Sequence, residues 1–323
     1  MSFRILGTGS YLPKKIVSNE DLSQFLDTSD EWITQRVGIT ERHLCTTETT
    51  ADLALGAAKA AFEMSGVKVG ELDLILCATV SADFTAPSLA CSLQALLGAT
   101  CPAMDINAAC SGFIYMLETA AAFFKLGYKK ILVVGAERLS RVVDWSDRST
   151  AVIFADGAGA MVLEPGDSYI SSKLVAKGGD SVLCIPSFPG ESPFYEVESK
   201  KPYVHMNGQE VYKFAVNAMC TDLEDVIRDA GLEMEDIRWV VPHQANARII
   251  DAASKKLGIP AERCCKNIEK TGNTSAASVA ILTDELNRSG QIKEGDYVAL
   301  TAFGAGLTSA ACVIRWDKTM NNA

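Results

Sequence analysis

One pattern constrains the fold of this chain more than any other: short β-branched runs alternate with longer, alanine-rich stretches of helical spacing. That alternation marks an α/β protein, with strands side by side and helices laid over them. Residues 72–78 read as a buried strand, preceded by a helix over 51–65. Residues 130–135 read as another, following a helix over 113–124. Residues 295–300 form a late strand, with 310–316 as its pairing partner.

The pattern occurs twice. In the first half a strand (74–79) leads to a helix (88–97), then Leu97-Gly98, a strand ending at Asn107, and Ala109-Cys110-Ser111-Gly112 opening a helix. In the second, Trp239-Val240-Val241-Pro242-His243 leads to a helix (246–257), then Leu257-Gly258, and Asn273-Thr274-Ser275-Ala276 opening a helix. We read an internal duplication of an α/β unit, with halves at 1–170 and 171–323. Residues 181–204, rich in Pro and aromatics, read as a connection between the halves that covers the surface near the active site, and a simple inter-domain linker is an equal reading.

Composition narrows the function. With 48% hydrophobic and 22% charged residues in 323, the chain has enough apolar surface for a sizeable core. No apolar run approaches the roughly 18 residues needed to cross a bilayer, and the first residues lack a signal-peptide pattern. We therefore expect a cytoplasmic protein with no membrane insertion. A net charge of −10 argues against nucleic acid as a partner. The ten cysteines include no Cys-x-x-Cys pair and the three histidines are scattered, so we expect reduced thiols and no metal site.

Cys110 stands out among the ten. It sits where a strand passes through small residues into an apolar helix, and the unpaired N–H groups there favour a thiolate, which predicts a lowered pKa and a nucleophile; taken alone, a buried structural cysteine is the commoner reading. His243 ends a buried strand, the place where α/β folds keep their sites. Asn273 occupies a Gly-Asn turn, and the duplication sets it at a turn corresponding to that of Cys110. Two glycine-rich stretches remain. The amides of Phe303-Gly304-Ala305-Gly306 suit an oxyanion, and a plain turn between strands is an equal reading. Residues 154–160, with Gly157 and Gly159, read as a structural tight turn before a strand over 161–163.

Taken together, Ala-Ala-Cys110-Ser-Gly-Phe, Val-Pro-His243-Gln-Ala-Asn and Gly-Asn273-Thr-Ser-Ala-Ala-Ser resemble the Cys-His-Asn triad of the β-ketoacyl-acyl-carrier-protein synthase III family. The resemblance covers essentially the whole chain. It implies the thiolase superfamily's duplicated five-layered α-β-α-β-α fold, a homodimer, and no cofactor. The implied reaction is decarboxylative condensation of an acyl-CoA primer with malonyl-acyl-carrier-protein by a ping-pong route, initiating type II fatty acid synthesis. A related priming ketosynthase or acyltransferase of secondary metabolism is the alternative.

The resemblance assigns residues too. Cys110 is the nucleophile, His243 and Asn273 donate to the malonyl thioester oxygen, and the amides of Cys110 and Ala305 form the oxyanion hole. The segment from Thr28 through Trp32 to Arg36 resembles the family's CoA segment. Trp32 stacks on adenine, Arg148 takes the opposite face, Arg36 lies near the phosphates, and Asn246 lines the pantetheine tunnel. Lys213, Arg248, Lys255 and Lys256 form a basic patch for the acyl carrier protein. Ala86 stands where some members carry a bulky residue that reaches into the partner's primer pocket, which suggests room for primers beyond acetyl. A thiolase would carry a second catalytic cysteine in its terminal turn, and an elongating synthase a histidine where Asn273 stands.

Overall fold

The computed structural model describes residues 2–187, 193–194 and 201–317. Its first half contains β1 (Ser2–Tyr11), α1 (Asp30–Val37), α2 (Thr50–Ser65), β2 (Leu74–Ala78), α3 (Leu89–Leu97), β3 (Ala103–Ile106), α4 (Gly112–Lys125), β4 (Ile131–Arg138) and β5 (Asp156–Gly166). Its second contains β6 (Tyr169–Gly179), α5 (Gly208–Asp229), β7 (Ile237–Pro242), α6 (Ala247–Leu257), α7 (Ala277–Arg288), β8 (Tyr297–Gly304) and β9 (Gly306–Arg315).

The strands form two sheets whose orders correspond. The first runs β1-β5-β4-β2-β3 and the second β6-β9-β8-β7. In each, two antiparallel pairings are followed by a parallel one, β4 with β2 and β8 with β7. The first sheet adds β3, parallel to β2; at the matching edge of the second there is one parallel bridge, Val240 to Cys264.

Both sheets are covered on both faces, which explains the continuous apolar strands. In β2 the side chains alternate: Leu74 and Leu76 enter a core shared with α4, α7 and the second sheet, while Ile75 and Cys77 pack beneath α2 and α3. In the second sheet Val241 and Leu300 face the shared core, whereas Val240, Ala299 and Val313 pack with Leu223 and Val226 of α5 and Ile250 of α6. The layers are therefore α2/α3, sheet, α4/α7, sheet, α5/α6. Truncating a central residue such as Leu76, fully buried, to alanine would cost about 2–5 kcal/mol.

Local chemistry sets the helix ends. Thr49 and Asp52 form a capping box at the start of α2, and Ser88 caps α3. The repeated Leu-Gly pairs end α3 and α6: Gly98 and Gly258 both take the left-handed cap, at φ 69° and 67°.

The tight turn expected at 154–160 is not there. Gly157 and Gly159 lie inside β5. Glycine is needed because α7 runs directly over the strand: a Cβ at Gly159 would fall 2.5 Å from the Ala280 Cβ. In the connection at 181–204, Leu183–Cys184 pairs antiparallel with His205–Met206 just beyond its end. Pro189 and the rest of 188–192 and 195–200 lie outside the described residues. Among the described residues no helix is long and apolar enough to cross a membrane.

Candidate active site

The duplication places matching turns at the entrances to α4 and α7, the central helices. Asn107 Oδ1 accepts the Ala109 N–H at 3.2 Å, and Asn273 Oδ1 accepts the Ser275 N–H at 2.8 Å. Ala109 and Ser275 are the two non-glycine residues with left-handed backbone among the described residues, at φ 47° and 49°. Such geometry costs about 1–3 kcal/mol and persists where the surroundings over-determine it. The turns correspond as expected, but the residues are offset: by this motif the counterpart of Asn273 is Asn107, and Cys110 is one residue beyond Ala109. The helix proper begins at Gly112, after one 3₁₀ turn over Ala109–Ser111.

Cys110, His243 and Asn273 line one cavity of about 2130 Å³. Cys110 is half-buried, while His243 and Asn273 are 1% and 5% exposed. His243 is held on several sides. Its N–H donates to the Thr301 carbonyl at 2.7 Å, its Nδ1 lies 2.7 Å from Ser278 Oγ, and its ring meets Phe303 edge-on with centroids 5.4 Å apart. Burial holds the imidazole far below its ordinary range, at about 3, so it is neutral at physiological pH. With Asn273 Oδ1 engaged by Ser275, the amide NH₂ is the group left for a ligand.

The turn 304–306 closes the site from the second half. A Cβ at Gly304 would fall 2.6 Å from the Cys110 nitrogen, so only glycine permits this approach. Gly306 takes φ 137°, whereas Ala305 between them is not left-handed, which explains why a methyl group is accepted there. The Thr308 hydroxyl lies 2.9 Å from the Ala305 carbonyl oxygen and 3.0 Å from that of Ala108, joining the turn to the cysteine loop.

One expectation is overturned. The thiol of Cys110 is not lowered: burial pushes it up to about 12, with the Glu137 charge adding to the rise. Cys110 lies within the first turn that leads into α4, and there the cost of ionising a thiol out of water is the larger effect.

Glu137 went unnoticed in the sequence, where a Glu at a strand end reads as a surface charge. It is fully buried and accepts from Ser81 Oγ at 2.5 Å, Thr79 Oγ1 at 3.2 Å and the Val80 N–H at 3.1 Å. Burial raises it to about 7 against those hydrogen bonds. Its folded value exceeds the ordinary 4.5, so the native state holds the extra proton between 4.5 and 7. The resulting stability is complete below that window and is lost as pH rises through it. Comparing thermal midpoints of Glu137→Gln and the parent across this window should show the variant gaining relative stability as pH rises; a difference independent of pH would contradict the assignment.

The other expected residues divide. Trp32, Arg36, Asn246, Arg248, Lys213 and Ala305 line the same cavity. The Arg36 and Arg148 guanidinium carbons lie 5.6 and 5.1 Å from the Trp32 ring centroid. Arg148 is itself off the cavity wall and donates to the Asp27 carbonyl at 2.5 Å. Asn246 caps α6 through the Arg248 N–H and donates to the Arg36 carbonyl at 3.2 Å, tying α1 to α6. Lys213 pairs with Glu210 at 2.9 Å. Thr28, Lys255, Lys256 and Ala86 do not line the cavity; the two lysines are exposed at the end of α6, and Ala86 is exposed beside Phe84 and Thr85, which do line it. Among the described residues no cluster fit to hold a metal occurs, and no disulfide joins the cysteines.

Two family patterns match the chain: 3-oxoacyl-[acyl-carrier-protein] synthase III over residues 104–178, and its C-terminal part over residues 227–316. The β-ketoacyl-[acyl-carrier-protein] synthase III of Clostridium acetobutylicum is 46% identical, covering 98% of this chain and 99% of that protein. That of Caldanaerobacter subterraneus is 49% identical over 97% and 98%. The chain belongs to the β-ketoacyl-acyl-carrier-protein synthase III family. The solved 3-oxoacyl-[acyl-carrier-protein] synthase III of Aquifex aeolicus superposes with a TM-score of 0.91 at 43% identity, covering 97% of this chain and all of that one. The fold is thus the thiolase-like one. The enzyme is an acyltransferase catalysing the condensation that initiates fatty acid synthesis.

Proposed function

We propose that the two halves, 1–170 and 171–323, divide the reaction: the first supplies the nucleophile Cys110, the second the donors His243 and Asn273. An acyl-CoA primer enters past Trp32 and Arg36. The Cys110 sulfur attacks the thioester carbonyl, the amides of Cys110 and Ala305 receive the oxyanion, and CoA leaves with the thiol's proton. Each such donor is worth about 3 kcal/mol of barrier. Malonyl-acyl-carrier-protein then takes the emptied tunnel. Its thioester oxygen accepts from His243 and Asn273 as carbon dioxide departs, and the resulting carbanion attacks the acyl-cysteine; the carbon–sulfur bond breaks to release 3-oxoacyl-acyl-carrier-protein, and the Cys110 thiolate regains a proton from solvent.

The observation that carries this reading is that a thiol and two neutral donors line one cavity. A neutral imidazole and an amide NH₂ can donate to the enolate oxygen without protonating the carbanion.

Arg248 and Lys213 at the cavity wall, with Lys255 and Lys256 beyond, form the face for an acidic carrier protein. Ala86, exposed and off its own chain's cavity, acts in a homodimer by meeting the partner's primer pocket. We place the enzyme in the cytoplasm.

Assaying condensation of acyl-CoA primers with malonyl-acyl-carrier-protein tests this reading. The small Ala86 predicts kcat/KM for four- and five-carbon primers above that for acetyl-CoA. Equal or stronger preference for acetyl-CoA would remove the role given to Ala86; no product with any primer would remove the proposal itself.

A further inference from the structure

The donor role of His243 requires one tautomer. The nitrogen facing the cavity, Nε2, must carry the proton, since a neutral imidazole has one donor and one acceptor nitrogen. What decides this is the partner of the other nitrogen, and that partner is Ser278, in the first turn of α7.

Ser278 is 2% exposed, and its Oγ has two hydrogen-bonding neighbours: His243 Nδ1 at 2.7 Å and the Gln244 N–H at 3.3 Å. The Gln244 amide can only donate, so it occupies a lone pair of the hydroxyl oxygen. Among the described residues the hydroxyl proton then has one acceptor within reach, Nδ1. If Nδ1 carried a proton instead, two N–H groups would face the oxygen and the buried O–H would point at nothing, at a cost of about 1–3 kcal/mol. We propose that Ser278 is a positioning residue that holds His243 in the Nε2–H tautomer.

Gln244 supports the arrangement. Its side chain donates to the Pro242 carbonyl at 2.7 Å and accepts from the Asn267 and Ile268 N–H groups at 3.1 and 3.2 Å. That fixes the residue whose amide fills the Ser278 lone pair. The stretch 273–278 thereby presets both donors: Ser275 N–H turns the Asn273 amide so that NH₂ is free, and Ser278 O–H turns the polarity of His243. Neither adjustment is needed when charge develops, which is how preorganised donors gain their effect.

The inference rests on His243 being a donor, as proposed above, but it is read by a measurement that needs no substrate. The chain has three histidines, so ¹⁵N-histidine labelling gives a simple ring-nitrogen NMR spectrum, with His243 assigned by the signals lost in His243→Gln. The expected spectrum shows protonated Nε2 and bare Nδ1. In Ser278→Ala the proton should redistribute toward Nδ1, and kcat for malonyl-acyl-carrier-protein decarboxylation should fall about tenfold with KM nearly unchanged, the rate equivalent of one hydrogen bond. Ser278→Cys, with a weaker donor of similar size, should fall between, and it decides the matter if the alanine variant does not fold. Protonated Nδ1 in the parent would overturn the proposal, as would an unchanged tautomer in the variant, whatever its rate. Normal decarboxylation by His243→Ala would instead remove the donor role and leave the tautomer reading standing.

Discussion

Replacing Cys110 by alanine should lower condensation by on the order of 10,000-fold or more, since removing a covalent nucleophile leaves only binding and the oxyanion donors. The same variant should still release carbon dioxide from malonyl-acyl-carrier-protein. The donors His243 and Asn273 come from the second half, and their bonds to Ser278 and Ser275 do not involve the sulfur. Assaying ketoacyl product and labelled carbon dioxide in parallel separates the two steps. Loss of both activities in a folded variant would show that the thiol takes part in decarboxylation, against the division of labour proposed here.

Asn273→Ala should show the converse. Decarboxylation should fall about 100- to 1,000-fold, the usual effect of deleting one donor to a developing oxyanion. Acylation of Cys110 by acyl-CoA should persist, as read by the mass of the intact protein. Alanine also removes the acceptor for the Ser275 N–H, at a turn already left-handed at φ 49°. Asn273→Asp keeps that acceptor but replaces the NH₂ donor with a carboxylate oxygen, whose charge adds to the loss. If Asn273→Asp decarboxylated at the parental rate, Asn273 would not be the donor.

Much of the scaffold was legible because strands and helices announce themselves locally. β2 and β4 are apolar runs of strand length, and Thr49, Ser88, Gly98 and Gly258 mark helix ends through their own side chains or their lack of one. The candidate triad was legible because small residues and turn signals surround each member. The failures share a cause, which is packing between residues far apart in the chain. Gly157 and Gly159 look like a turn until α7 is laid over β5. The Cys110 thiol looks activated until the other half encloses it, and burial then outweighs the helix terminus. Glu137 and Ser278 carry no local mark, since the partners that give them meaning lie 56 and 35 residues away at Ser81 and His243.

The central claim is that Cys110 carries the acyl group from primer to carrier-bound malonate. Intact-protein mass spectrometry after incubation with acyl-CoA primers, followed by peptide mapping, tests it most directly. The account predicts one acyl adduct, mapped to the peptide containing Cys110 and discharged when malonyl-acyl-carrier-protein is added. An adduct on another residue, or none on folded protein with any CoA thioester, would contradict it.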